Sequence, residues 1–369
     1  MRSPGRSHLV SARRQPRTLQ WMALLVSVGI LAVASPLVAA WSVPSPTIPD
    51  RSIYVTNQLD NTLSVIDGGN YKVVATVTVG TSPAGVVVSP DGRYAYIAEG
   101  GDDAVSVFDT GTRTITTSVA LPAGSSPRGV ALSPKGEFLY VADGGSDRVS
   151  VVDTATLRVV ASVPVGRQPV SVAVTPDGGS AYVADAGSGD VSVIDTQTNR
   201  IIGVVTAGQF PAGVALTPDG GSAYVANELS GDVTVFNTRS GAVEATLPAG
   251  TSPFDVATSP DGLWVYVADL GSGELVVIDT RVRKVVATVS IGGHGTDPFN
   301  VAATDDAIYV TNQGANTLAV IDPSTRHVVT TVTTGNSPYG VAVDPISRSV
   351  PHGHTKLREP HDGHPSGTV

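Results

Sequence analysis

Apolar residues along positions 51–345 come in short runs, cut repeatedly by Gly, Pro, Asn and Asp. The stretch from 213 to 247 shows the grammar. GVALT (213–217) meets the tight turn Pro218-Asp219-Gly220, and SAYVA (222–226) meets the loop NELSG. DVTVF (232–236) and AVEATL (242–247) follow, separated by the polar turn Asn237-Thr238-Arg239. β-Branched residues fill these runs and turn formers bound them, so each predicts a strand. No stretch repeats apolar residues at helical spacing over three turns, which argues against a helical repeat.

This four-strand unit recurs along the chain. Tyrosines followed by a small apolar residue stand at Tyr54, Tyr96, Tyr140, Tyr182, Tyr224, Tyr266 and Tyr309, spaced by 42, 44, 42, 42, 42 and 43 residues. Prolines at 83, 127, 169, 211, 253, 298 and 338 keep the same rhythm. Four antiparallel strands in about 42 residues is the size of a propeller blade. The sequence therefore predicts an all-β, seven-bladed β-propeller over residues 51–350. IYVTNQLDNTLSVID (53–67) and IYVTNQGANTLAVID (308–322) share twelve of fifteen positions at its two ends. The chain enters at the second strand of a unit (53–57), and its last strand signal is a first strand (340–344). The N- and C-terminal strands are thus expected to pair and complete the first blade, leaving no inner edge open. Strands such as VVATVTV (73–79) read apolar on both faces, so each sheet is expected to be covered on both sides.

Composition adds exclusions. Hydrophobic residues reach 41% but aromatics only 5%, so the core must be built from small and branched aliphatics. The absence of cysteine excludes disulfides, thiolate metal sites, c-type haem attachment and a cysteine nucleophile. Residues 1–40 read as an export signal. Arg2, Arg6, Arg13, Arg14 and Arg17 precede an apolar run (21–34), and Val38-Ala39-Ala40 offers a cleavage point. An uncleaved anchor is the alternative, because 21–40 nearly suffices to span a bilayer. Without the leader, 18 basic residues face 32 acidic ones, a net charge near −14. Such a surface argues against nucleic acid and anionic lipid. The expected location is secreted, cell-surface or extracytoplasmic, with no membrane contact beyond the signal. Residues 41–50 form a proline-rich spacer. Residues 351–369 break the repeat and are expected to be disordered. His352, His354, His361 and His364 in that tail offer a loose transition-metal site as a minor alternative.

Tyr54-Val55-Thr56-Asn57 and Tyr309-Val310-Thr311-Asn312, with YVAN (224–227), VSVID (191–195) and the SPDG turns (89–92, 259–262), resemble the YVTN β-propeller repeat family. The resemblance covers residues 51–345. It implies a seven-bladed propeller common in exported or surface-layer proteins of prokaryotes. It implies no single activity, because fold does not fix function.

In such a ring the loops that lead into each first strand and follow each second strand share one face. Most leading loops read G-x-x-P-x-G with small residues between. The exceptions are Arg128, Arg167, Phe210, Phe254, Asp255, His294, Asp297, Phe299, Asn300 and Tyr339. Together they are expected to ring the channel mouth and to bind a protein, peptide, glycan or small anion, the aromatics stacking and the arginines holding charge. The competing reading is that the aromatics fill gaps and the charges are merely solvated. Asn57, Glu99, Asp143, Asp185, Asn227, Asp269 and Asn312 end the second strands and are expected to bond turn backbone. Glu99, Asp102 and Asp103 make the best local acid cluster, without calcium-loop spacing. For catalysis, His294 and Asp297 supply one acid–base pair of the kind propeller lyases and lactonases use. With no second histidine on that face and no G-x-S-x-G elbow, the sequence favours a binding scaffold over an enzyme. No cofactor is implied, and a monomer is expected.

Overall fold

A computed structural model of the chain describes residues 51–345. The leader, the spacer and the tail with its four histidines lie outside the described residues. Twenty-eight strands form seven four-stranded antiparallel sheets. Blades 2 to 7 span residues 83–120, 127–164, 169–206, 211–248, 253–290 and 298–333, each running from its inner to its outer strand. Blade 1 joins the last strand, Pro338–Val343, to Ser52–Asn57, Thr62–Asp67 and Lys72–Thr78. Ile53 faces Val343, Tyr54 faces Ala342 and Val55 faces Val341, so the expected closure holds.

Seven hydrophobic clusters each straddle one junction between successive blades, including the seam between blades 7 and 1. The repeated tyrosines fill these junctions. Tyr54 meets Phe108 of blade 2 edge-on, and Tyr182 meets Phe236 of blade 5. Burying such a ring contributes about 1.5–3 kcal/mol per residue, which a lone blade could not gain because its faces would be wet.

One expectation needs correction. The middle strands are covered on both faces, but 73–79 is an outermost segment, and Val73 and Val74 are exposed. Ile202 and Val204 on blade 4 are likewise exposed. Blades splay as they leave the axis, so outer strands stand apart from their neighbours. Their apolar residues reflect β-propensity more than burial.

The seam explains the repeated YVTN stretch. Thr56 Oγ accepts from Gly340 N (2.8 Å) and donates to Ala84 O of blade 2 (2.6 Å). Thr311 Oγ accepts from Asn300 N (3.0 Å) and donates to Tyr339 O of blade 1 (2.8 Å). Each threonine rivets its own inner strand to the next one. Blades 2 to 6 carry alanine at this position (Ala98, Ala142, Ala184, Ala226, Ala268).

Candidate functional site

Backbone bonds bring the two loop series onto one face. Gln58 N donates to Ser337 O (2.9 Å), Gly100 N to Ser82 O (3.1 Å), Glu228 N to Phe210 O (2.9 Å), Leu270 N to Ser252 O (3.0 Å) and Gln313 N to Asp297 O (2.9 Å). The polar ends of the second strands hold the leading loops in place. Asn57 accepts from Gly335 N (3.0 Å), Glu99 from Gly80 N (2.7 Å), Asn227 from Gly208 N (3.0 Å) and Asp269 from Thr251 N (2.9 Å) and Ser252 N (2.7 Å). Asp185 accepts from Ser192 N (3.1 Å). Asp143 and Asn312 bond side chains instead, Ser150 Oγ (2.6 Å) and Thr317 Oγ1 (3.1 Å).

The acid cluster of blade 2 is dispersed the same way. Asp102 accepts from Thr81 N (2.6 Å), while Asp103 accepts from Gly124 N (2.7 Å) and Ser126 N (2.8 Å) of blade 3. Glu99 and Asp102 both serve the loop at 80–81 and Asp103 serves the loop at 124–126, and the three make no group that could hold a cation among the described residues.

The channel wall is set by the third residue of each inner strand: Gly340, Gly85, Gly129, Ser171, Gly213, Asp255 and Asn300 for blades 1 to 7. A Cβ at Gly85 would lie 2.6 Å from Arg128 O, and one at Gly340 would lie 2.6 Å from Ala84 O. Inner strands there pass too closely for a side chain. Blades 6 and 7 differ. Asp255 Oδ2 accepts from Asn300 Nδ2 (2.6 Å) and Val301 N (3.0 Å), and Asn300 Oδ1 accepts from Val341 N (3.0 Å). Two side chains thus staple three successive inner strands. Asp255 keeps part of its surface toward the channel, but protein surrounds it, and burial pushes its carboxyl up to about 7.

Above this staple sit the aromatics. Phe254 and Phe299 stack with ring centres 3.9 Å apart, and Tyr339 leans on Phe299 at 4.4 Å. Ala84 and Leu270 complete the cluster. Arg128 comes beside the Tyr339 hydroxyl; burial raises the phenol's pKa against the pull of that guanidinium. The stem of Arg128 lies flat over Gly144, where a Cβ would meet its Cδ at 3.0 Å. A cleft of about 200 Å³ opens here, lined by Gln58, Ser82, Ser126, Arg128 and Tyr339 among others.

The other candidates stand apart from this group. Arg167 is exposed and turns back to donate to Gly187 O (2.7 Å). Phe210 is half-buried, with its backbone at φ 58°. His294 is exposed in the longest leading loop, 291–297, and makes no hydrogen bond among the described residues. Asp297 lies against Gly314 in the same blade. No acid from another blade meets His294 among the described residues.

Gln58, Ser82, Ser126, Glu228 and Leu270 were not anticipated. Attention to the residue just after each second strand would have found Gln58, Glu228 and Leu270, because that position faces the mouth as directly as the leading loops do.

Two further carboxyls titrate high for lack of water. Burial pushes Asp143 up to about 6, and burial pushes Asp185 up to about 7, with Asp190 directly opposite adding like-charge repulsion. Blade 5 pairs Asn227 with Asp232 at the corresponding place (2.7 Å) and avoids the conflict. The roomier grooves, about 540 and 460 Å³, lie at the turns of blades 4 to 6 on the opposite face. Asp177 and Asp219 there each commit one oxygen to their own turn, accepting from Thr175 Oγ1 and Gly179 N and from Thr217 Oγ1 and Gly221 N.

A 53-residue stretch is 47% identical to the seven-bladed beta-propeller protein Rv1057 of Mycobacterium tuberculosis, covering 14% of this chain and 14% of that protein. Among solved structures, hydrazine synthase of Kuenenia stuttgartiensis superposes with a TM-score of 0.66 at 24% identity, over 73% of this chain and 92% of that one. Virginiamycin B lyase from Staphylococcus aureus gives 0.62 at 15% identity, over 70% and 87%. A functionally unknown protein from Desulfotomaculum acetoxidans gives 0.70 at 15%, over 79% and 98%. At such identities these likenesses speak to fold alone. The family model described as "Lactonase, 7-bladed beta-propeller" matches residues 47–173 and 164–345, nearly the whole ring, and the chain belongs to that family.

Proposed function

We propose that this protein is an exported propeller, of YVTN surface-layer type, whose channel mouth binds a ligand or protein partner outside the cytoplasm. The observation that carries this reading is the stack of Phe254, Phe299 and Tyr339 beside Arg128, a cation with no ion pair among the described residues. Phe299 and Tyr339 are buried and Phe254 is half-buried, so Phe254 and the edge of Tyr339 are what the stack presents; beside an unpaired guanidinium they offer apolar contact and charge at one point, as binding sites do. Export is supported by the arginine-led apolar leader.

Membership in the lactonase family favours a second reading, a hydrolase or lyase using His294 and Asp297. Against it, the imidazole is exposed and no acid of another blade meets it among the described residues, so no partner orients it for proton transfer.

Thermal-shift screening of the purified protein against peptides, glycans and lactones tests both readings. Stabilising hits are expected to disappear in Phe299→Ala and to survive in His294→Ala. Hits indifferent to Phe299→Ala would move the site elsewhere. Lactone turnover abolished by His294→Ala would establish the enzyme.

A further inference from the structure

We infer that the cleft between blades 1, 2 and 3 is a subsite for a carboxylate carried on a small aromatic body; this rests on the channel-mouth reading above. The cleft draws Gln58 and Tyr339 from blade 1, Ser82 from the loop leading into blade 2, and Ser126 and Arg128 from blade 3. Its side chains can supply an amide N–H, two hydroxyls, a phenol and a guanidinium. The side chains of Gln58, Ser82 and Ser126 make no hydrogen bond among the described residues, and Arg128 makes no ion pair. No carboxylate lines the cleft. Asp102 and Asp103 spend oxygens on backbone N–H groups of the loops behind it, and Asp255 and Glu228, whose charges reach Tyr339, stand outside its lining.

A surface rich in donors and poor in fixed acceptors, around one planar guanidinium, selects an oxyanion, and the fork of arginine matches a carboxylate in two parallel bonds. This is unusual on a chain so acidic overall, because the net field outside repels anions and only a local cation can hold one. Tyr339 belongs to both the cleft and the aromatic stack; with Ala84 and Pro127 it gives a ligand whose charge meets Arg128 an apolar wall for its ring, while Phe299 is buried behind it and props Tyr339. A volume of about 200 Å³ is smaller than the pockets of drug-sized ligands. It admits a single ring with a short acidic arm, either a free arylalkanoate or the carboxy-terminus of a chain ending in an aromatic residue.

Calorimetric titration with 3-phenylpropionate, its neutral amide, and a tripeptide ending in phenylalanine as free acid or amide tests the assignment. The free acids are expected to bind at least tenfold more tightly than the matching amides. Arg128→Gln should bring acid affinity down to the amide level, and Phe299→Ala should weaken acid and amide together. If only 3-phenylpropionate, and not the tripeptide acid, binds, the source is a small molecule; the reverse assigns a chain terminus. Equal affinity for acid and amide overturns the carboxylate subsite while leaving the aromatic platform standing. No binding of any probe at millimolar concentration overturns it too, and the platform then stands or falls on its own screen. The acid–amide comparison uses the unaltered protein, so it holds even if a variant does not fold.

Discussion

On blades 1, 2, 3 and 5 the third residue of the inner strand is glycine, and adjacent backbones nearly touch; on blades 6 and 7 it is Asp255 and Asn300, whose side chains reach the next strand. The first region of the channel wall closes by backbone proximity, the second by side-chain hydrogen bonds. Phe254 and Phe299, immediately before those polar residues, stand where the glycine-walled blades 2 and 5 carry Ala84 and Ala212. The difference teaches where to look for function in a repeat protein. Positions that every blade shares hold the ring together, and the departures at the second and third positions of the inner strands (Arg128, Phe254, Asp255, Phe299, Asn300 and Tyr339) gather in one place, while those in the leading loops do not.

Removing the closing strand gives the largest expected effect. A chain ending after Val329 loses Pro338–Val343, opens the clusters on both sides of the seam and frees the edge of Ser52–Asn57. No cooperative melt near that of a control ending at Pro345 is expected in calorimetry. A melt matching the control would show that closure contributes nothing.

Asp255→Ala breaks the polar region of the wall. It leaves Val301 N and the Asn300 amide without their acceptor, and a loss of about 1–3 kcal/mol is expected in urea denaturation. Gly85→Ala attacks the other region, since the new methyl meets Arg128 O of the next strand. Overpacking of this kind costs about 1–3 kcal/mol. If Gly85→Ala is neutral, the inner strands are not in the tight contact described.

Asp255→Asn sharpens the comparison by making blade 6 resemble blade 7. The folded carboxyl titrates near 7 and the unfolded one near 3.8. The native state therefore holds a proton that the unfolded chain has released. Stability from this group is full below pH 3.8, falls as pH rises toward 7, and levels off above. The slope is at most about 1.4 kcal/mol per pH unit. The amide does not titrate, so the variant is expected to gain on the parent between pH 4 and 7. A difference independent of pH would mean the carboxyl is not desolvated. His294→Ala should do least, within about 0.5 kcal/mol of the parent, because the side chain is exposed.

The seven-fold rhythm of tyrosines and prolines made the blades legible, and the shared stretch at 53–67 and 308–322 made the seam legible. What the polar ends of the second strands do was readable too, since Asn and Asp at strand ends favour backbone bonds. The composition of the mouth was only half readable. Arg128, Phe254, Phe299 and Tyr339 each directly follow their blade's proline, inside the inner strand, and meet, whereas Arg167, Phe210 and His294 precede theirs in the leading loops and stay apart. Side chains at matching positions of different blades point around a circle, and their lengths and rotamers decide which reach across.

The sequence alone determined the unit, its copy number and the pairing of the two ends, because each follows from alternation, turn chemistry and repetition along the chain. Tertiary structure decided which outer strands stay wet, which threonines rivet one blade to the next, and which loop residues form the aromatic stack. Those outcomes depend on distances between residues far apart in the chain, fixed only once the ring is closed.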